Sequence, residues 1–359
     1  MPVVGLTRNR RHLLGRQTAF GSPVPAVRAY PFAGTPDEDE QWTDPEGDFG
    51  SVYPVAAPFR GVGEYGANLS LNPLNYNDLT QLLSGFFGGD VTPTGTGDIH
   101  RIYEPAADGS DVFDVYSYEF GDDADGSDSD SPNDWFQNSD GIITSFTIDS
   151  PETGAGVLTS QQQWSFGSFF YAGSTDNAPD STIPSIPDVP DTDPVQIYLK
   201  DASVFIDSDA SDIGSTQVSD SLHKFTLRGT QEIDKKYYVN GSQTFAPQAY
   251  GRGRVGIEID LIYAKTPDTV GVGSESDAWS SNQSVPRFLT VSFESLVEAD
   301  TAVPYSWLFS MPLRYYTRTE GNIGGNSTVQ LTGHAFFEPT VLAYPFYSEL
   351  VNTLIDADL

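Results

Sequence analysis

The run GRGRVGIEIDLIY, residues 251–263, constrains this chain more than any other stretch. It spells G-x-G-x-x-G, yet a phosphate-cradling turn needs those glycines to leave a strand and open a helix whose free N–H groups face the phosphate. The residues after the glycines have a period of two instead: Val255, Ile257, Ile259, Leu261 and Tyr263 on one side, Glu258 and Asp260 on the other. Branched and aromatic residues favour the same pleated, half-buried geometry. The segment is therefore a strand with an apolar and an acidic face, and the nucleotide reading is set aside. The glycines are expected to tighten the backbone where that strand begins.

The same alternation recurs. DSLHKFTLRGT (220–230) sets His223, Phe225 and Leu227 against Lys224, Thr226 and Arg228, and DGIITSFTIDS (140–150) sets Phe146 and Ile148 against Ser145, Thr147 and Asp149. With GVLTSQQQWSF (156–166) as the return strand of the first half and GRVGIEIDLIY as that of the second, the chain reads as two related strand-loop-strand units. EYGANLSL, residues 112–120, RFLTVSFESL, WLFSMPLRYYTR and STVQLTGHAFFEP add further strands. Two helices are expected. One lies in NPLNYNDLTQLLSGFFGG, with Leu79, Leu82, Leu83 and Phe86 at helical spacing, Asn75 or Asn77 as cap and Gly88 at its end. The other is a short terminal helix placing Phe346, Leu350 and Leu354 at i, i+4 and i+8.

Thirty-four Gly and 25 Pro punctuate these strands, and 22 Phe, 18 Tyr and 5 Trp supply bulk for packing, so a folded, mainly β protein is expected. Five prolines between 173 and 195 mark a linker. The expected organisation is a basic N-terminal arm (1–34), a first β domain (35–172) with an acidic insertion (105–135), the linker (173–195) and a second β domain (196–359). The arm carries Arg8, Arg10, Arg11 and Arg16, lacks the apolar core of a secretory signal, and is read as flexible or docked on an acidic neighbour.

Fifty acidic residues against 18 basic ones give a formal charge of -32. Self-repulsion of that size is relieved where salt shortens the Debye length to about 3 Å, near 1 M, so a halophilic habitat is expected. The same charge argues against gripping nucleic acid or an anionic membrane, since counterion release requires Lys and Arg. With no cysteine, disulfides and thiolate metal sites are excluded. The four histidines, His12, His100, His223 and His334, show no metal or triad spacing, and no run approaches the about 20 apolar residues of a membrane helix. DDADGSDSD (122–130) lacks the spacing of a calcium loop and reads as a solvated segment. No catalytic residue, cofactor or metal ligand is assigned, and the chain is read as a non-enzyme. An acidic β-rich hydrolase stands as the remote alternative.

The ordered pieces from GEYGANLSLNPLNYNDLTQLLSGFFGG through DGIITSFTIDSPETGAGVLTSQQQWSFGS, SLHKFTLRGTQEIDKKYYVNGSQTFAPQAYGRGRVGIEIDLIY, RFLTVSFESL and FSMPLRYYTR to TGHAFFEP cover roughly residues 50 to 345. In that order they resemble the tail tube proteins of long-tailed viruses of bacteria and archaea. The resemblance implies β-sandwich or barrel domains with a few short helices, assembled in the host cytoplasm into stacked rings of a virion tail through which DNA passes without specific binding. It implies a lumen face of Ser145, Thr147, Asp149, Lys224, Thr226, Arg228, Glu258 and Asp260, the basic members pairing across strands with the acids. It also implies an inter-ring loop with Lys235, Lys236, Tyr237, Tyr238, Asn240, Phe245 and Tyr250. The expected partners are further copies, as a trimeric pseudo-hexamer or a hexamer, with tape-measure, tail-terminator and adaptor proteins, and no membrane. A receptor- or carbohydrate-binding surface protein is the alternative, with Trp135, Tyr171 and Trp279 as sugar platforms.

Overall fold

The structure, a computed structural model, describes residues 10–24, 26, 28–39, 42–43, 59–60, 64–88, 93–105, 114–122, 134–151, 156–173, 194–218, 222–236, 249–265 and 285–354. The first half contributes β1 (Arg10–Gln17), β2 (Arg28–Tyr30), β3 (Phe32–Asp39), β4 (Trp42–Thr43), β5 (Phe59–Arg60), β6 (Glu64–Leu71) and α1 (Tyr76–Phe87). It continues with β7 (Ile99–Tyr103), β8 (Val115–Asp122), β9 (Asp134–Asp149), β10 (Thr159–Phe166) and β11 (Ser168–Gly173). The second half contributes β12 (Ala202–Asp207), β13 (Leu222–Lys236), β14 (Ala249–Ala264), β15 (Arg287–Asp300), β16 (Val303–Ile323), β17 (Asn326–Ala335) and β18 (Tyr347–Asn352). The protein is mainly β, as the alternation requires.

Eight of these strands lie side by side in the order β16-β17-β14-β13-β9-β10-β6-β3, every neighbour antiparallel. The two halves therefore share one sheet through the β9–β13 ladder, Thr226↔Asp149 to Thr230↔Ser145. They share one core as well: Phe146, Ile148, Phe225, Leu227, Ile259, Leu261, Leu331 and Phe309 belong to a single buried cluster.

The long strands β9 and β16 each serve two sets of partner strands. Residues of β9 up to Gly141 pair with β8 and β11, and from Ile142 onward with β10 and β13. Likewise β16 pairs with β15 and β18 up to Leu313 and with β17 beyond it. Each carries one extra residue just past the changeover, Thr144 in β9 and Tyr316 in β16, where the ladder slips. The repetition extends to the whole fold. In chain order β1, β3, β6, β8, β9, β10 and β11 hold the same places in the first half as β12 to β18 in the second. β9 thus corresponds to β16, and β3 to β13, with the two units following one another head to tail. This corrects the expected equivalence of DGIITSFTIDS with DSLHKFTLRGT. Those strands are antiparallel partners, whereas units repeated along a sheet keep their equivalent strands pointing one way.

One α-helix is present among the described residues. Asn75 caps α1 by accepting from the Asp78 N–H at 2.8 Å, and Gly88, at φ 67°, closes it by donating to Ser84 O at 3.0 Å. All twelve residues of α1 are buried. Three of its polar members are bonded from the surrounding sheets: Asn352 Nδ2 donates to Thr80 Oγ1 at 2.7 Å, the Ser84 and Tyr116 hydroxyls lie 2.6 Å apart, and Arg28 pairs with Asp78 at 2.9 Å.

Three expectations change. The C-terminal segment is the strand β18, seated between β16 and β7, and no helix. The described part of the arm is built into the sheet: β1 pairs along its length with β8, Leu13 and Leu14 are buried, and Arg16 bridges Asp114 at 2.8 Å. The glycines of GRGRVG stand inside the β13–β14 ladder, Gly251 opposite Asp234 and Gly256 opposite Thr230, with a slip between Gln231 and Ile233. There the guanidinium of Arg252 donates to the carbonyls of Phe86 and Phe87, at 2.9 and 3.3 Å, satisfying two orphan acceptors at the end of α1.

Candidate functional site: the polar face of the eight-stranded sheet

Directly opposed residues of an antiparallel ladder share a face, so the register alone assembles the site. One row runs Ala33, Ser70, Gln161, Thr147, Arg228, Glu258, His334, Arg314 across all eight strands. A second runs Thr159, Asp149, Thr226, Asp260, Thr332, Thr317. All eight residues expected on this face, Ser145, Thr147, Asp149, Lys224, Thr226, Arg228, Glu258 and Asp260, lie together on it. Their neighbours Phe146, Ile148, Phe225, Leu227, Ile259 and Leu261 fill the core behind.

The central charges on the face are paired. Lys224 Nζ donates to Asp149 Oδ2 at 3.0 Å, and the Thr226 hydroxyl donates to the other oxygen of that carboxylate. Arg228 forks across β14, one nitrogen to Glu258 and the other to Asp260, each at 2.8 Å. Partial burial works against its charge, but the bonds and proximity of Asp260 and Glu258 outweigh this and hold the guanidinium above its usual range. The second oxygen of Glu258 accepts from Tyr316 at 2.7 Å, and Tyr316 stacks on His334 with centroids 4.1 Å apart. Burial, then the Glu258 hydrogen bond, raise the Tyr316 phenol to about 12, so it stays a donor at neutral pH. Toward the first half lies a patch with no charged side chain. Gly34, Asn68, Ser70, Ser145, Thr147, Gln161 and Gln163 border a shallow groove, and Ser145 donates to Gln163 at 3.2 Å.

Sequence reading missed Tyr316, His334, Gln161, Gln163 and Asn68. Gln161 and Gln163 alternate with buried Gln162 and Trp164, and Tyr316 keeps phase with Arg314 around buried Tyr315, both visible periods of two, but Thr317 joins the face only through the ladder slip, which no periodicity announces. Of the residues expected in an outward loop, Lys235, Lys236 and Tyr250 belong to the ladder instead, as the pairs Lys235↔Tyr250 and Lys236↔Ala249. Lys235 Nζ donates to Phe166 O at 2.8 Å, Lys236 pairs with Asp234, and Tyr250 donates to Asp140 O at 2.7 Å. Burial lowers the pKa of Lys235. Tyr237, Tyr238, Asn240 and Phe245 lie outside the described residues, as does Trp279. Trp135 and Tyr171 sit in the paired strands β9 and β11.

Among the described residues no group of three or more His, Asp or Glu is arranged to hold a metal ion. Among them also, no helix is long and apolar enough to cross a membrane. Neither a protein-family model nor a curated protein matches the chain.

Proposed function

We propose that the chain is a structural virion protein whose copies form the stacked rings of a viral tail tube, with this polar face lining the bore through which DNA travels. The observation that carries the reading is the face itself: eight antiparallel strands wide, built of Thr, Ser, Gln and Asn, with each central cation already held by a carboxylate of its own chain. A wall of that composition offers phosphate few uncommitted cations, so a duplex slides along it.

The even strand number matters too. Repeated by rotation, an eight-stranded antiparallel sheet meets its own copy antiparallel, so cyclic closure needs no parallel seam. Three copies give a 24-stranded barrel. At a spacing of about 4.8 Å and a tilt of about 40°, its backbone diameter is roughly 48 Å, which admits a hydrated duplex.

Negative-stain images of the purified protein in about 2 M salt, where the Debye length falls to about 3 Å or below, are expected to show rings or tubes with a central hole. A persistent monomer under those conditions overturns the reading, and glycan binding by that monomer favours a receptor-binding protein.

A further inference from the structure

The head-to-tail repeat leaves two strand edges whose equivalents are already joined inside the molecule. In the first unit the distal half of β9 takes β13 as its neighbour, from Ser145↔Thr230 to Asp149↔Thr226. In the second unit β16 corresponds to β9, and beyond Leu313 the strand pairing of β16 among the described residues is with β17 alone. The strand corresponding to β13 is β3, whose strand pairing among the described residues is with β6 alone. From these edges we infer that β3 of a second copy of this chain docks against the distal half of β16, reproducing between copies the β9–β13 junction found within one.

The register is set by landmarks common to both units. The ladder slips at Thr144 and Tyr316 align Ser145 with Thr317, Thr147 with Thr319 and Asp149 with Gly321. Carrying that alignment through β10 and β17, then β6 and β14, places Thr35 where Thr226 stands and Asp37 where Arg228 stands. The pairs between copies are therefore Thr35↔Gly321, Pro36↔Glu320, Asp37↔Thr319, Glu38↔Arg318 and Asp39↔Thr317. Thr35 and Asp37 continue the polar face of β3, Thr319 and Gly321 that of β16, so the two faces run on into one another across the junction. The edge segment TPDEDE (35–40) carries four acids, and the register sets Glu38 opposite Arg318, a cation that Glu320 of its own strand also holds at 3.1 Å. Pro36 has no N–H to give, so its pair forms one bond fewer than its internal counterpart, Leu227↔Ile148.

The inference shares with the proposed ring the premise that copies associate, and adds which edges meet and where. The protein has no cysteine, so a designed pair reports cleanly. Within the chain, Ser150 N–H donates to Phe225 O, which makes Asp149↔Thr226, and two residues on Thr147↔Arg228, non-hydrogen-bonded pairs with close side chains. Asp37→Cys with Thr319→Cys copies the latter geometry and suits a disulfide.

Under mild oxidation in high salt the double variant is expected to form reducible covalent oligomers at least ten times faster than either single variant or the off-register pair Ala33→Cys with Thr319→Cys. Rings seen by electron microscopy without that selective cross-link overturn the junction but leave the ring intact. Equal cross-linking by the off-register pair overturns the register. Absence of both rings and cross-links overturns junction and ring together.

Discussion

Arg228 shows what a single side chain does on this face. It spans Glu258 and Asp260 with two bonds of 2.8 Å, and without it two carboxylates face each other across one residue of β14. Arg228→Gln is expected to cost about 1 kcal/mol, a value kept small because the side chain is 39% exposed and solvent screens the pairs. The loss should shrink as salt rises, and urea denaturation of both proteins at two salt concentrations measures it. At this scale the sequence was informative wherever alternation governs. Lys224, Thr226 and Arg228, and likewise Glu258 and Asp260, are assignable to the polar side of their own strands from period two alone. Which acid each cation takes depends on register, and register comes from neighbouring strands. The role of Arg252 is not legible locally, because the carbonyls it satisfies are more than 160 residues away.

Between elements, the β9–β13 seam rests on a close approach. A Cβ on Gly229 would stand 2.2 Å from the Phe146 ring and 2.8 Å from that of Phe86. Gly229→Ala is therefore expected to destabilise by about 1–3 kcal/mol, the usual cost of overpacking. A lowered denaturation midpoint with unchanged slope would verify it. The strands and α1 were legible from their periods and caps, and the terminal strand β18 shows where that reading fails. Phe346, Leu350 and Leu354 are four residues apart, a spacing that puts them on one side of a helix and equally on one side of a strand. Neighbours decide the case. Ser348 is fully buried and accepts from Trp307 Nε1 at 3.0 Å, an environment supplied by β16 and invisible locally.

For the whole molecule, charge sets the conditions. With a net charge of -32 the thermal midpoint is expected to climb between about 0.1 M and 1 M salt, as the Debye length contracts from about 10 Å to about 3 Å. A midpoint that stays flat across a potassium chloride series would contradict the expectation. Duplication was sensed in the sequence but matched to the wrong strands, because equivalent positions hold unlike residues. Arg228 corresponds to Asp37, and Asp149 to Gly321, so only backbone landmarks reveal the match. The changeovers in β9 and β16 carry a mechanical consequence. Since β9 and β16 each run unbroken from one set of partner strands into the eight-stranded array, at Gly141 and at Leu313, tension on one set travels into the other through covalent bonds and not through side-chain friction. Pulling the sets apart would thus require breaking strand ladders lengthwise, the stiffest direction in which to load them.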